Sequence, residues 1–167
     1  MLRFKLADLL ITMKVLVVCT GNICRSPTGQ IVLEKKAAEM PAIDDFYCES
    51  AGTHSYHIGA PPDQRSQNVA SLQGYDMSQC RAQHLRIDDF FKYDIFLAMD
   101  ADHYKIIQRL KPKESKSRVF FFMEFSRKYP RESVPDPYYG NAEGFKHVLQ
   151  MIEEGADTFL REMYPSS

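Results

Sequence analysis

Four consecutive apolar residues, Val15-Leu16-Val17-Val18, run without a break into Cys19-Thr20-Gly21-Asn22-Ile23-Cys24-Arg25-Ser26, and Pro27 follows. A continuous Val-rich run reads as a strand buried on both faces. Pro27 suits the first turn of a helix, where its missing N–H costs nothing. The segment is therefore a strand, a short loop and a helix, with a thiol at one end of the loop and a guanidinium at the other. Gly21 permits a positive φ and Asn22 tolerates the left-handed region, so successive N–H groups can converge on an oxyanion. The helix N-terminus adds its positive end, and Arg25 offers a planar fork for two phosphoryl oxygens. Cys19 beneath such a cradle is equipped to attack a phosphate ester as thiolate. Ser26 can donate a hydrogen bond to that sulfur, and it can also serve as a helix N-cap.

The rest of the chain alternates in the same manner. Strands are expected at Lys14–Cys19, Phe46–Ser50, Asp94–Ala98 and Arg118–Phe122. Helices are expected from Pro27 to about Glu39, from Asp63 to Leu72, from Met99 to Leu110, and from Asn141 or Ala142 to Tyr164. That order predicts a single α/β domain: a four-stranded parallel sheet, doubly wound, with helices on both faces. Ligands of such sheets bind beyond the C-terminal ends of the strands, where the loop starting at Cys19 leaves the first strand. The longest loop, Ser126–Gly140, holds Pro130, Pro135 and Pro137, and a loop of that length tends to be functional.

The 167 residues suit one domain with a full core, and the 44% apolar content is that of a globular chain. A net charge of −1 with interspersed signs gives no field for nucleic acid or a membrane surface. Cys19, Cys24, Cys48 and Cys80 are too few for a disulfide scaffold, and no histidine stands at metal-ligand spacing from them. No metal or cofactor is expected. At the N-terminus, Arg3 and Lys5 precede Leu9-Leu10-Ile11, but Asp8 and Lys14 flank the apolar residues and no small-residue cleavage site follows. Residues 1–12 read as an extension outside the fold, residues 13–167 as the domain, and the protein as a cytoplasmic monomer with reduced thiols.

The run Cys19–Pro27 resembles the signature of the low-molecular-weight protein tyrosine phosphatases. The resemblance extends from about Met13 to the C-terminus. Ser50-Ala51-Gly52-Thr53, Tyr56, Gly59 and Asp63-Gln64-Arg65 look like the family's second loop and helix. Asp94 to Asp100 looks like its third strand, and Val134-Pro135-Asp136-Pro137-Tyr138-Tyr139-Gly140 like its acid loop. The resemblance implies hydrolysis of phosphotyrosine through a phosphocysteine. Cys19 is then the nucleophile, Arg25 the transition-state clamp and Asp136 the general acid, later the base for water. Residues Thr20, Gly21, Asn22, Ile23, Cys24, Arg25 and Ser26 form the phosphate loop. Tyr138 and Tyr139, with Tyr56 opposite, line a cleft for an aryl ring. The implied partner is a phosphotyrosine-containing protein, a tyrosine kinase among the options. Cys24 carries an implied redox role, as disulfide partner of an oxidised Cys19.

The sequence departs from the family in three places. Thr28-Gly29-Gln30 replaces the usual small residue and Glu after the loop, and Gly29 costs up to about 1 kcal/mol against Ala in a helix. Cys80 stands where the family has a histidine bracing the loop asparagine, and Gln83 where it has an arginine. Two other functions remain open. Arsenate reduction uses the same fold and a cysteine loop, but relays a disulfide through further, closely spaced cysteines. A phosphopeptide-binding or redox-sensing module would keep the loop and lack turnover. Nucleotide binding has no Gly-Lys-Ser/Thr loop to support it.

Overall fold

The computed structural model describes residues 12–131 and 133–165. Apart from Thr12, the expected N-terminal extension lies outside the described residues. Four strands, β1 (Met13–Cys19), β2 (Phe46–Gly52), β3 (Ile95–Ala98) and β4 (Arg118–Phe121), form one parallel sheet in the order β2-β1-β3-β4. Five helices connect and cover it: α1 (Arg25–Ala38), α2 (Gln64–Leu72), α3 (Asp89–Lys92), α4 (Ala101–Leu110) and α5 (Ala142–Met163). Among the described residues, no helix is long and apolar enough to cross a membrane.

The two-residue repeat of the strands divides the core. Val15 and Val17 of β1, with Ile95 and Leu97 of β3, point to one face and meet Val32 and Leu33 of α1 and Ile152 and Phe159 of α5. Leu16, Val18, Phe96 and Ala98 point to the other and meet Phe90 of α3 and Ile107 of α4. Both faces are therefore covered, as the unbroken apolar runs predict.

Element boundaries shift from the sequence expectation for definable reasons. β2 runs on through Ala51 and Gly52, because these pair with Val18 and Cys19 at the end of β1. The helix expected from Met99 begins at Ala101, since Asp100 is extended (φ −151°, ψ 179°) and caps α4. Its carboxylate accepts the N–H groups of Asp102 and His103 at 3.0 and 3.1 Å. The short α3 was not expected; four residues do not reveal a helical period.

Candidate active site

β1 delivers Cys19 to the C-terminal edge of the sheet, and the chain curls through Thr20–Cys24 before α1 begins at Arg25. The residue in the left-handed region is Asn22, at φ 58°; Gly21 was the more permissive choice, yet it does not adopt a positive φ. Asn22 is buried, and both ends of its amide are engaged. Its Nδ2 donates to Ser26 Oγ at 2.8 Å, and its Oδ1 accepts the Gln83 N–H at 2.9 Å. The brace that the family places at position 80 is supplied here by the Gln83 backbone. The Gln83 side chain in turn donates to the Ser50 carbonyl at 2.8 Å. Gly52 lets β2 approach the loop, because a Cβ there would stand 2.6 Å from the Thr20 carbonyl oxygen.

Ser26 lies inside the first turn of α1 rather than at its N-cap, which is Cys24. Its hydroxyl is 2.9 Å from Cys19 Sγ and 3.4 Å from the Ala51 carbonyl. Since the Asn22 amide occupies one lone pair, the nearer acceptor for the Ser26 proton is the sulfur. Cys24 is also buried. Burial, then the Asp63 carboxylate, pushes its thiol up to about 12, so it stays protonated at neutral pH.

Arg25 is almost fully buried, and its charge is met within the fold. Nη1 donates to Asp100 Oδ2 at 2.7 Å and to the Val134 carbonyl at 3.0 Å. Nη2 lies 3.4 Å from Thr20 Oγ1 and 3.6 Å from Asp136 Oδ2. The Nη1 donors are thus spent on positioning, and the Nε–Nη2 edge is left for two oxygens of a ligand. His103 closes the ring around this guanidinium. Its Nε2 is 2.8 Å from Thr20 Oγ1, and its Nδ1 is 3.1 Å from Asp100 Oδ1. That second approach is too poorly aligned to be a hydrogen bond, and Nδ1 has no other partner. Burial, then Arg25, pushes His103 down to about 4, so it is neutral above that pH. For Asp100, burial alone would raise the carboxyl. The His103 imidazole and N–H, together with Arg25, outweigh burial and hold it below its ordinary value.

Asp136 arrives on the loop after β4. The root of that loop is fixed: Val134 is fully buried, and its N–H donates to the Met99 carbonyl at 2.8 Å. Two residues on, the Asp136 side chain is half exposed and accepts the Tyr138 N–H at 3.0 Å. Tyr138 and Tyr139 stand edge to face at 5.0 Å, and the Arg65 guanidinium lies over Tyr138 at 5.4 Å and Phe145 at 4.6 Å. Asp63, the α2 N-cap, holds Arg65 in place and donates its own N–H to the Ile23 carbonyl.

These elements enclose a cavity of about 250 Å³ whose walls include Cys19, Thr20, Gly21, Ile23, Cys24, Arg25, Asp136, Tyr56, Tyr138 and Tyr139. Every predicted site residue is in it except Asn22 and Ser26, whose side chains brace the loop from behind. His57 is a further wall residue that the sequence reading passed over. It also missed Asp100 and His103. Asp100 had a usable signal, being an Asp at the C-terminal edge of a central parallel strand just before a helix.

The family model of low molecular weight phosphotyrosine protein phosphatases matches residues 14–166. The low molecular weight phosphotyrosine protein phosphatase of Schizosaccharomyces pombe is 34% identical over 152 residues, which cover 90% of this chain and 96% of that protein. A crystal structure of a protein tyrosine phosphatase from Entamoeba histolytica superposes with a TM-score of 0.86 at 34% identity, covering 91% of this chain and 97% of the other. Wzb from Vibrio vulnificus, solved in complex with benzylphosphonate, superposes with a TM-score of 0.78 at 31% identity over 91% and 99% of the two chains.

Proposed function

The chain belongs to the low molecular weight phosphotyrosine protein phosphatase family, and from that premise we propose that its own residues hydrolyse phosphotyrosine in two steps through Cys19. It is a protein tyrosine phosphatase, a phosphoric monoester hydrolase. The observation that carries the residue assignment is the convergence of Cys19, Arg25 and Asp136 on one tyrosine-walled cavity.

In the first step the Cys19 thiolate attacks phosphorus in line with the ester oxygen. The S–P bond forms, the P–O bond to the aryl group breaks, and Asp136 gives its proton to the departing phenolate oxygen. The Nε–Nη2 edge of Arg25 and the amides of the loop hold the equatorial oxygens as charge spreads over them. In the second step Asp136, now a carboxylate, takes a proton from water as the water oxygen attacks phosphorus. The S–P bond breaks, inorganic phosphate is released, and the Ser26 hydroxyl steadies the sulfur that leaves as thiolate. The three tyrosines favour a flat ring over a short alkyl stem, in keeping with the benzylphosphonate bound by the Vibrio relative.

The substrate is accordingly a phosphotyrosine-containing protein, and a tyrosine kinase fits that class. We place the domain at residues 13–167 and the protein in the cytoplasm as a monomer. Cys24, which shares the cavity with Cys19, is the partner for a protective disulfide when Cys19 is oxidised to the sulfenic acid. Arsenate reduction is less well supported, because Cys48 and Cys80 are buried and neither lines the cavity. The test is hydrolysis of an aryl phosphate in EDTA by wild type and Cys19→Ser. Activity confined to the wild type establishes the cysteine-dependent, metal-free reaction. An inactive, folded wild type would favour the phosphopeptide-binding or redox-sensing reading.

A further inference from the structure

A second cavity, of about 360 Å³, adjoins the catalytic one, and Thr20 belongs to the walls of both. The ridge between them is built by Tyr56 and His54, whose rings stack at 5.2 Å; Tyr56 faces the catalytic cavity and His54 the second. The far wall is α4, which presents Lys105 and Arg109 one helical turn apart on the same face. Both are exposed, and among the described residues neither is paired with a carboxylate.

Two carboxylates share the cavity, and neither cancels this pair of cations. Asp100 is spent on Arg25 and on the first N–H groups of α4. Asp102 lies in the first turn of α4, where the positive end of the helix already offsets its charge. The whole molecule carries a net charge of only −1, so any attraction for an anion here is local.

We propose that this second cavity is a substrate subsite that receives an acidic side chain flanking the phosphotyrosine. The proposal rests on the phosphatase reading above. With the phosphorylated ring in the catalytic cavity, the peptide crosses the Tyr56–His54 ridge. A Glu or Asp side chain then descends between Lys105 and Arg109, with the Thr53 hydroxyl and His54 beside it. Partly exposed charge pairs of this kind are individually modest, so the pair together sets a preference of about three- to tenfold.

The test compares kcat/KM for phosphotyrosine peptides carrying a single glutamate, or a single lysine, moved through the positions flanking the phosphotyrosine. Each value is taken as a ratio to that for p-nitrophenyl phosphate, which reaches only the catalytic cavity. Wild type is expected to prefer glutamate at one position, and Lys105→Glu/Arg109→Glu to prefer lysine at that same position. The absence of any positional preference in wild type overturns the subsite, as does a preference that survives the charge reversal. Failure of wild type to hydrolyse p-nitrophenyl phosphate overturns the underlying phosphatase reading instead.

Discussion

Ser26 has one hydroxyl proton, and the arrangement of Asn22, Ala51 and Cys19 around it decides where that proton goes. Such determinism at single residues recurs through the site. Cys24 is held as a neutral thiol by burial and shares the cavity with Cys19, which suits the proposed role as resolving partner rather than nucleophile. Mild peroxide is therefore expected to yield a Cys19–Cys24 disulfide by mass spectrometry; sulfinic or sulfonic Cys19 alone would contradict this. His103 makes a prediction in pH. Its folded pKa of about 4 lies below the ordinary value of 6.5, so between those values the unfolded chain binds the extra proton. Stability from this group is thus full above pH 6.5 and falls as pH drops toward 4. Urea unfolding should show about 2 kcal/mol lost between about pH 7.5 and pH 5 from this residue, and a flatter profile in His103→Asn. His103 was not legible in the sequence as a site residue, and the signal at Asp100, an acid between a strand end and a helix start, did not say what it would meet. Asp100 meets Arg25 across 75 positions and His103 meets Thr20 across 83, and only strand order brings them together. That Cys19, Arg25 and Asp136 would meet was legible because one short loop holds the first two and a proline-flanked acid stands out in the longest loop.

At the scale of elements, α1 sits close to the sheet, with its N-terminus at the cavity beside Cys19. Gly29 permits this: a Cβ there would lie 2.6 Å from Met99 Cε, 2.9 Å from Phe122 Cε2 and 3.1 Å from Val17 Cγ1. The conformational cost assigned to this glycine from sequence is outweighed by the packing it allows. Gly29→Ala is expected to destabilise by about 1–3 kcal/mol in denaturant titrations, although alanine is the better helix former. Gly144, in the first turn of α5, has nothing within 4 Å of its Cβ position, and Gly144→Ala should stabilise by about 0.4–1 kcal/mol. The paired variants separate close packing from helix propensity. The longer elements were legible because each carried its own period, as in α5 with Phe145, Val148, Leu149 and Ile152 buried. The ends were not, since pairing extends β2 to Gly52 and a side-chain cap delays α4 to Ala101.

For the whole molecule, the order β2-β1-β3-β4 sends the chain to opposite faces after β1 and after β3. The crevice between those strand ends is the switch point of the sheet, and the Cys19 loop and Asp100 occupy its two sides. Both cores share the same four strands, so the domain should unfold as a unit. A chain beginning at Met13 is expected to unfold in one transition at the full-length midpoint and to keep aryl phosphatase activity. A lowered midpoint would move the domain boundary into residues 1–12. Parallel topology also explains the Val134 contact, which joins segments that are remote in sequence. Arg25 donates to the Val134 carbonyl, while the Val134 N–H is fixed to Met99, and Asp136 follows two residues later. The Arg25 guanidinium is thereby steadied by the strap that carries Asp136. Lifting that strap would free the guanidinium at the same moment it withdrew Asp136. On the proposed mechanism the two form an interlock, in which a phosphate is held firmly only while the means of cleaving it is in place.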